Sequence, residues 1–161
     1  MKLKLTDPAM MVATVCGVGL LPKAPGTWGS LAALPLAWLL HGLAGPLAVL
    51  LAATIAFFAG WWASSSLARR GDPGDEKGHD PGYIVIDEVA GQLIVLAVIP
   101  PDALLYAVAF AVFRLFDIVK PAFIGWADRK VEGGLGVMLD DLLAGLCGAL
   151  VMYAITRIWS L

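Results

Sequence analysis

The sequence predicts an all-α protein, a polytopic membrane helical bundle with about five spanning helices plus a short N-terminal interfacial or re-entrant helix. Composition is the first reason. Of 161 residues, 60% are hydrophobic and 15% charged, whereas soluble domains run near ~45–50% apolar and ~25% charged. A soluble protein of this size has too little interior to hide so much apolar surface. Distribution is the second reason, because the apolar residues gather in blocks and the charges gather between them. The chain reads as one domain, 1–161, with no internal repeat and no low-complexity tract.

Lys2 and Lys4 open the chain, but Asp7-Pro8 interrupts the apolar stretch behind them and no small-residue cleavage site comes after, so the N-terminus is expected to be retained. Ala9–Leu21 is too short to span and too apolar for a soluble loop, which makes it the interfacial or re-entrant helix. The candidate spans are Trp28–Leu40, Pro46–Ala63, Tyr83–Ile99, Ala103–Val119 and Leu139–Trp159. Crossing a bilayer takes about 17–25 residues, so the last is adequate and the first is short. Tilting, or ending inside a protein cavity, accommodates such a shortfall.

The connections alternate in character. His41–Gly45 and Pro100–Asp102 are short and nearly uncharged. Ser64–Gly82 and Lys120–Met138 are longer, rich in Gly and Pro, and hold Arg69, Arg70, Lys77, Lys120, Arg129 and Lys130. The positive-inside rule therefore places the N-terminus and both long loops in the cytoplasm. Arg157 disagrees, and a terminal arginine can snorkel to the headgroups. Trp61, Trp62 and Trp159 fit interfacial anchoring.

Some function classes fall away on these grounds. A net charge of −2 gives no basic face for nucleic acid, and nothing marks an obligatory protein partner. Cys16 and Cys147 lie far apart in apolar segments, without a cysteine or histidine at metal-ligand spacing, and read as small hydrophobes. His41 and His79 sit in loops, too few and too badly placed for histidine-based lipid phosphatase chemistry. A Cys-x5-Arg nucleophile loop is absent as well.

The polar residues converge. Asp87 and Glu88 open the third span, Arg114, Asp117 and Lys120 close the fourth, Asp140 and Asp141 open the fifth, and Thr27, Gly29 and Ser30 open the first. On the topology above, each is at a cytoplasmic helix end. A carboxylate at the bilayer centre costs about 2.5–3.5 kcal/mol, so Asp87, Glu88, Asp117, Asp140 and Asp141 together would cost on the order of 15 kcal/mol at the midplane. Near the interface the cost falls, and a cation offsets the rest. Adjacent acids repel in low dielectric unless something positive lies between them, and Mg²⁺ characteristically pairs a few carboxylates with a substrate phosphate. Arg114, Asp117 and Lys120, spaced by three, share a helix face. Taken alone, Asp140-Asp141 reads equally as a solvated, dipole-favoured helix start, and Arg114 and Lys120 equally as snorkelling ends. Four helices meeting in one place favour a site.

Pro22-Lys23-Ala24-Pro25-Gly26-Thr27-Trp28-Gly29-Ser30 adds a second kind of chemistry. Prolines stiffen the approach, Gly26 and Gly29 permit close backbone contact, and a helix start carrying hydroxyls suits a phosphate. It lacks the spacing of a Walker loop, and by itself is also an ordinary turn and cap. Gly133-Gly134-Leu135-Gly136 is likewise either a flexible loop or a close-approach loop over a headgroup. Asp80 lies a few residues before Asp87 on the same side.

Four of these segments resemble a known family: Gly-Leu-Leu-Pro-Lys-Ala-Pro-Gly-Thr-Trp-Gly-Ser at 19–30, Ile-Val-Ile-Asp-Glu-Val-Ala-Gly at 84–91, Phe-Arg-Leu-Phe-Asp-Ile-Val-Lys-Pro at 113–121 and Gly-Gly-Leu-Gly-Val-Met-Leu-Asp-Asp at 133–141. They look like phosphatidylglycerophosphatase A, in order and over nearly the whole chain. The sequence departs at Leu21, where that family often has a serine before the proline. The resemblance implies a bacterial inner-membrane enzyme that uses Mg²⁺ to convert the phospholipid phosphatidylglycerophosphate to phosphatidylglycerol and phosphate. It implies roles for Pro25-Gly26-Thr27, Ser30, Asp80, Asp87, Glu88, Arg114, Asp117, Lys120, Asp128, Asp140 and Asp141.

The expected mechanism is metal-assisted hydrolysis of a phosphomonoester. Asp87, Glu88, Asp117 and Asp141 are the metal-ligand candidates; Asp87, Glu88, Asp140 and Asp141 are the catalytic ones. Asp140 or Asp141 would act as base or nucleophile. Lys23, Thr27, Ser30, Asp80, Arg114 and Lys120 would bind substrate. A transporter or channel with a cytoplasmic-side carboxylate ion site is the alternative, and would place its charges nearer the midplane. A CDP-alcohol phosphotransferase would need an Asp-Gly…Ala-Arg…Gly…Asp…Asp string that this chain lacks.

Overall fold

The structure, a computed structural model, describes residues 6–70, 82–121, 123–125, 130–131 and 133–159. Regular structure among the described residues is helical: α1 (Pro8–Ala13), a single 3-10 turn (Val18–Leu20), α2 (Pro25–Arg69), α3 (Ile86–Ala97), α4 (Ala103–Val119) and α5 (Gly133–Trp159). The starts of α1 and α4 come from local chemistry. Asp7 caps α1 by accepting from the Ala9 N–H at 2.9 Å, with Pro8 at the first position, where its missing donor costs nothing. Asp102 caps α4 through the Leu105 N–H at 2.9 Å.

As a straight rod the 45 residues of α2 would reach about 68 Å, more than twice the ~30 Å hydrocarbon core. The rod is broken. Gly45 has φ 76° and ψ −169°, a region that essentially only glycine enters, and Pro46 removes the following donor. Gly29 on the arm 25–44 packs against Val85, while Gly60 on the arm 46–69 packs against Ile86 and Met138. Both arms therefore lie beside the start of α3, and the chain doubles back at Gly45.

Further contacts give the directions. Gly29 meets Val85 and His41 Nε2 lies 3.1 Å from the Leu96 carbonyl, so the first arm runs parallel to α3. Trp38 stacks edge-on with Tyr106 at 5.3 Å while Gly26 sits beside Arg114, so α4 runs the other way. Gly60 against Met138 and Gly134 against Ser65 make the second arm antiparallel to α5. Successive rods thus alternate in direction.

The expected helical class holds, while among the described residues fewer helices than the expected five or so are long and apolar enough to span on their own. Two helices, Pro25–Arg69 and Gly133–Ile158, are long and apolar enough to cross a membrane. The expected spans Trp28–Leu40 and Pro46–Ala63 are continuous in one broken helix. Tyr83–Ile99 contracts to the 12 residues of α3, because the Val85 N–H donates at 2.9 Å to the Ala13 carbonyl and holds the approach out of the helix. Ala9–Leu21 forms α1 and the 3-10 turn, with Ala9, Met10 and Ala13 buried against the bundle.

Burial is inverted relative to a water-soluble protein. Leu43, Ile55, Leu104, Ile118 and Leu150 are exposed, whereas Asp87, Gln92, Asp140 and Asp141 are buried. An outer surface this apolar requires an apolar solvent or partner.

Candidate active site

The site arises where α3 and α5 cross. A Cβ on Gly145 would lie 2.6 Å from the Gly91 carbonyl oxygen, and one on Gly91 would lie 2.5 Å from the Asp141 carbonyl oxygen and 2.6 Å from Phe113 Cε2. Only glycine at both positions allows this backbone approach, the small-residue packing typical of helices in lipid. Asp87 lies four residues before Gly91 and Asp141 four before Gly145. Residues four apart share a helix face, so the crossing that joins the glycines also brings the aspartates together.

Ligand oxygens of Asp87, Glu88 and Asp141 all lie within 4.8 Å of one another. Asp87 and Asp141 are each 3% exposed. The Glu88 N–H donates to Asp87 Oδ1 at 3.0 Å. Glu88 Oε2 and Asp141 Oδ1 are buried without a hydrogen-bond partner among the described residues. Three acceptor groups at this separation repel in low dielectric, and buried oxygens without donors are what a hard cation coordinates. These residues fit a metal ion.

α4 supplies charge of both signs. Arg114 pairs with Asp117 at 2.5 Å, and Lys120 Nζ donates to Asp140 Oδ2 at 2.6 Å. Asp117 neighbours Asp141 closely enough for the two carboxyls to interact, and Arg114 acts on Glu88. Lys120 ends α4 in a left-handed conformation, φ 44°, before Pro121 stops the helix.

The start of α2 completes the arrangement. Lys23 and Ala24 are both left-handed, φ 60° and 54°, a strained entry of the kind that collects at functional sites. They deliver Pro25-Gly26 against the acids: Gly26 touches the Glu88 carboxylate, and a Cβ there would be 3.3 Å from Arg114 Nη1.

The sequence-predicted residues thus fall into groups. Asp87, Glu88, Asp141, Asp117 and Arg114 come together, and Lys120 with Asp140 flanks them. Thr27 is half-buried at the helix start. The Ser30 hydroxyl is buried and donates to the Gly26 carbonyl at 2.9 Å, so it braces the turn that carries Gly26. Lys23 is exposed. Asp80 and Asp128 lie outside the described residues. The charges cluster at one end of the rods, unlike the midplane placement expected of a transporter. Gly91, Gly145 and the fully buried Gln92 do not stand out in the sequence. The repeated Asp-x3-Gly spacing in α3 and α5 is the available signal for the two glycines.

Comparison with known proteins bears on this arrangement. A family model described as phosphatidylglycerophosphatase A matches residues 11–156. The phosphatidylglycerophosphatase A of Haemophilus influenzae is 40% identical over 161 residues, covering 99% of this chain and 95% of that one. That of Escherichia coli is 38% identical, covering 99% and 90%. A Bacteroides thetaiotaomicron protein provisionally named a phosphatidylinositol-3-phosphatase is 38% identical over 92% of each chain. No solved structure matches.

Proposed function

The chain belongs to the phosphatidylglycerophosphatase A family, and on that premise we propose that it uses Mg²⁺ to hydrolyse phosphatidylglycerophosphate to phosphatidylglycerol and phosphate at the cytoplasmic face of the bacterial inner membrane. The observation that carries the proposal is the meeting of Asp87, Glu88 and Asp141 oxygens within 4.8 Å, beside Arg114 and the α2 start.

Asp87, Glu88 and Asp141 would hold the ion, with Asp117 adjoining. When bound, Mg²⁺ neutralises phosphoryl oxygens and eases deprotonation of a water. Arg114 and Lys120 then serve the phosphoryl group, exchanging part of their contact with Asp117 and Asp140 for its equatorial oxygens. Gly26 leaves room for the Glu88 carboxylate at the start of α2, a helix start whose N–H groups suit phosphoryl oxygens. Thr27 and Lys23 border that entrance. Asp140 or Asp141 takes the proton of the nucleophile or is itself the nucleophile.

The alternating rods support a reading in which both arms of α2 and each of α3, α4 and α5 cross the bilayer, the short ones among neighbours. Arg69, Arg70 and Lys120 lie at the site's end of the bundle, which the positive-inside rule assigns to the cytoplasm.

The Bacteroides relative favours a second substrate reading, a phosphatidylinositol phosphate. Release of phosphate from each lipid by the full-length protein in mixed micelles discriminates between them. Phosphatidylglycerophosphate should be turned over at least tenfold faster, and the reverse order would reassign the substrate. Asp87→Asn and Asp141→Asn should abolish turnover while leaving membrane insertion intact. Near-parental rates in both would remove this site from the account.

A further inference from the structure

We propose that Gln92 positions the hydrolytic water of this site. Gln92 is fully buried, and both its Nε2 and its Oε1 lack a hydrogen-bond partner among the described residues. A buried amide with neither atom satisfied is costly, and its neighbours Leu93, Val95 and Leu96 are buried apolar residues. Packing alone would be served better by another leucine there. A ligand or a water that completes the amide explains why a polar side chain is kept.

Its place says which ligand. Gln92 follows Glu88 by four residues, so the two share a face of α3, about one 5.4 Å turn apart. Gly91, its neighbour in the chain, touches Asp141. Gln92 therefore sits one turn inward from the acids, on the face that carries Glu88 Oε2, itself buried without a partner among the described residues. The carboxylates there can only accept hydrogen bonds when ionised, whereas an amide both donates and accepts without adding charge. That is the pairing a water molecule needs to be oriented between Gln92 and an acid.

In the hydrolytic step the water oxygen forms a bond to phosphorus and passes a proton to a site carboxylate. The phosphorus–oxygen ester bond breaks, and the departing lipid oxygen takes up a proton to leave as an alcohol. Gln92 exchanges no electrons or protons; it is a positioning residue. If a phosphoaspartate forms first, the lipid alcohol leaves in that earlier step, and the oriented water then breaks the bond between phosphorus and the aspartate carboxylate, which departs ionised.

The inference rests on the phosphatase reading, so its test carries Asp141→Asn as a control. Full-length Gln92→Met, Gln92→Asn and parent protein are compared with Mg²⁺ in mixed micelles, tracking phosphate release and the thermal midpoint. Gln92→Met keeps length and removes both polar atoms. It should lower kcat by about 30-fold or more, leave KM within about threefold, and keep or raise the thermal midpoint, because no hydrogen bond to the described residues is lost and an apolar side chain suits the buried position. Gln92→Asn, retaining the amide, should recover part of kcat. A Gln92→Met kcat within about threefold of parent overturns the inference, as does a fall in kcat matched by a fall in thermal midpoint with no recovery in Gln92→Asn. An inactive Asp141→Asn beside an active Gln92→Met overturns the Gln92 role alone; an active Asp141→Asn overturns the site.

Discussion

Gly26→Ala tests the geometry of the site with one methyl group. The added Cβ would overlap the Glu88 carboxylate, 2.9 Å from its Cδ, and come to 3.3 Å from Arg114 Nη1. Ordinary carbon–carbon contact begins near ~3.5 Å, so Cδ must retreat by roughly half an ångström and the leading oxygen by more. Glu88 moves because the start of α2 is fixed: Pro25 locks its backbone, and Ser30 is bonded to the Gly26 carbonyl. A misplacement near 1 Å at a reacting centre is worth about 100-fold in rate. Gly26→Ala should therefore lower kcat by about 30- to 100-fold, while the helical circular dichroism of the purified protein is unchanged. Gly42→Ala is the control, since a Cβ there meets nothing within 4 Å and alanine favours a helix. Turnover of Gly26→Ala within about threefold of Gly42→Ala would refute the contact between α2 and Glu88 as a determinant of activity.

Gly45→Ala should lower the thermal midpoint by the equivalent of about 1–3 kcal/mol, because alanine cannot relax at φ 76°; an unchanged midpoint would mean that the chain does not turn there. Asp7→Ala loses the α1 cap and the ion pair with Arg70, and should cost about 0.5–2 kcal/mol, with Arg70→Ala costing less because an exposed pair is worth only ~0–1 kcal/mol. Chelation with EDTA should abolish turnover and Mg²⁺ should restore it, full activity in the chelator being the contrary result. At 100 times its dissociation constant Mg²⁺ should stabilise the parent by about 2.7 kcal/mol, and Asp141→Asn should lose that shift in a melting experiment.

The helical class is legible in the apolar blocks, and most of the acid cluster is legible in where the blocks end. Helix boundaries are less so. Whether Gly45 breaks a helix or joins two depends on its ψ angle, which no pattern of hydrophobic residues records. Tyr83–Val85 looks helical by composition, yet a hydrogen bond to Ala13, some seventy positions earlier, keeps it out of α3. The sequence points to Ser30 as a phosphate ligand because a hydroxyl at a helix start is a good one; only the structure shows that hydroxyl bonded to Gly26. Gly91 and Gly145 carry no signal of their own because in a membrane chain glycine within a helix is common, and its meaning emerges once two helices are seen to cross there.

The charge balance at the crossing argues for the cation independently of family. Asp87, Glu88, Asp117, Asp140 and Asp141 meet two cationic side chains, Arg114 and Lys120, among the described residues. Those two are already set against Asp117 and Asp140. Two ionised groups within 4.8 Å of each other repel by about 3 kcal/mol or more even at an effective dielectric near ~20, and Asp87, Glu88 and Asp141 form three such pairs. A protein can relieve that by protonating the acids or by binding a divalent ion. Protonated acids would leave Arg114 and Lys120 to neutralise an incoming phosphate dianion alone. With an ion between the acids, the same cluster attracts a phosphate and holds it near a water. The crossing glycines bring the carboxylates together, so the backbone packing and a cluster able to hold a divalent ion have one origin.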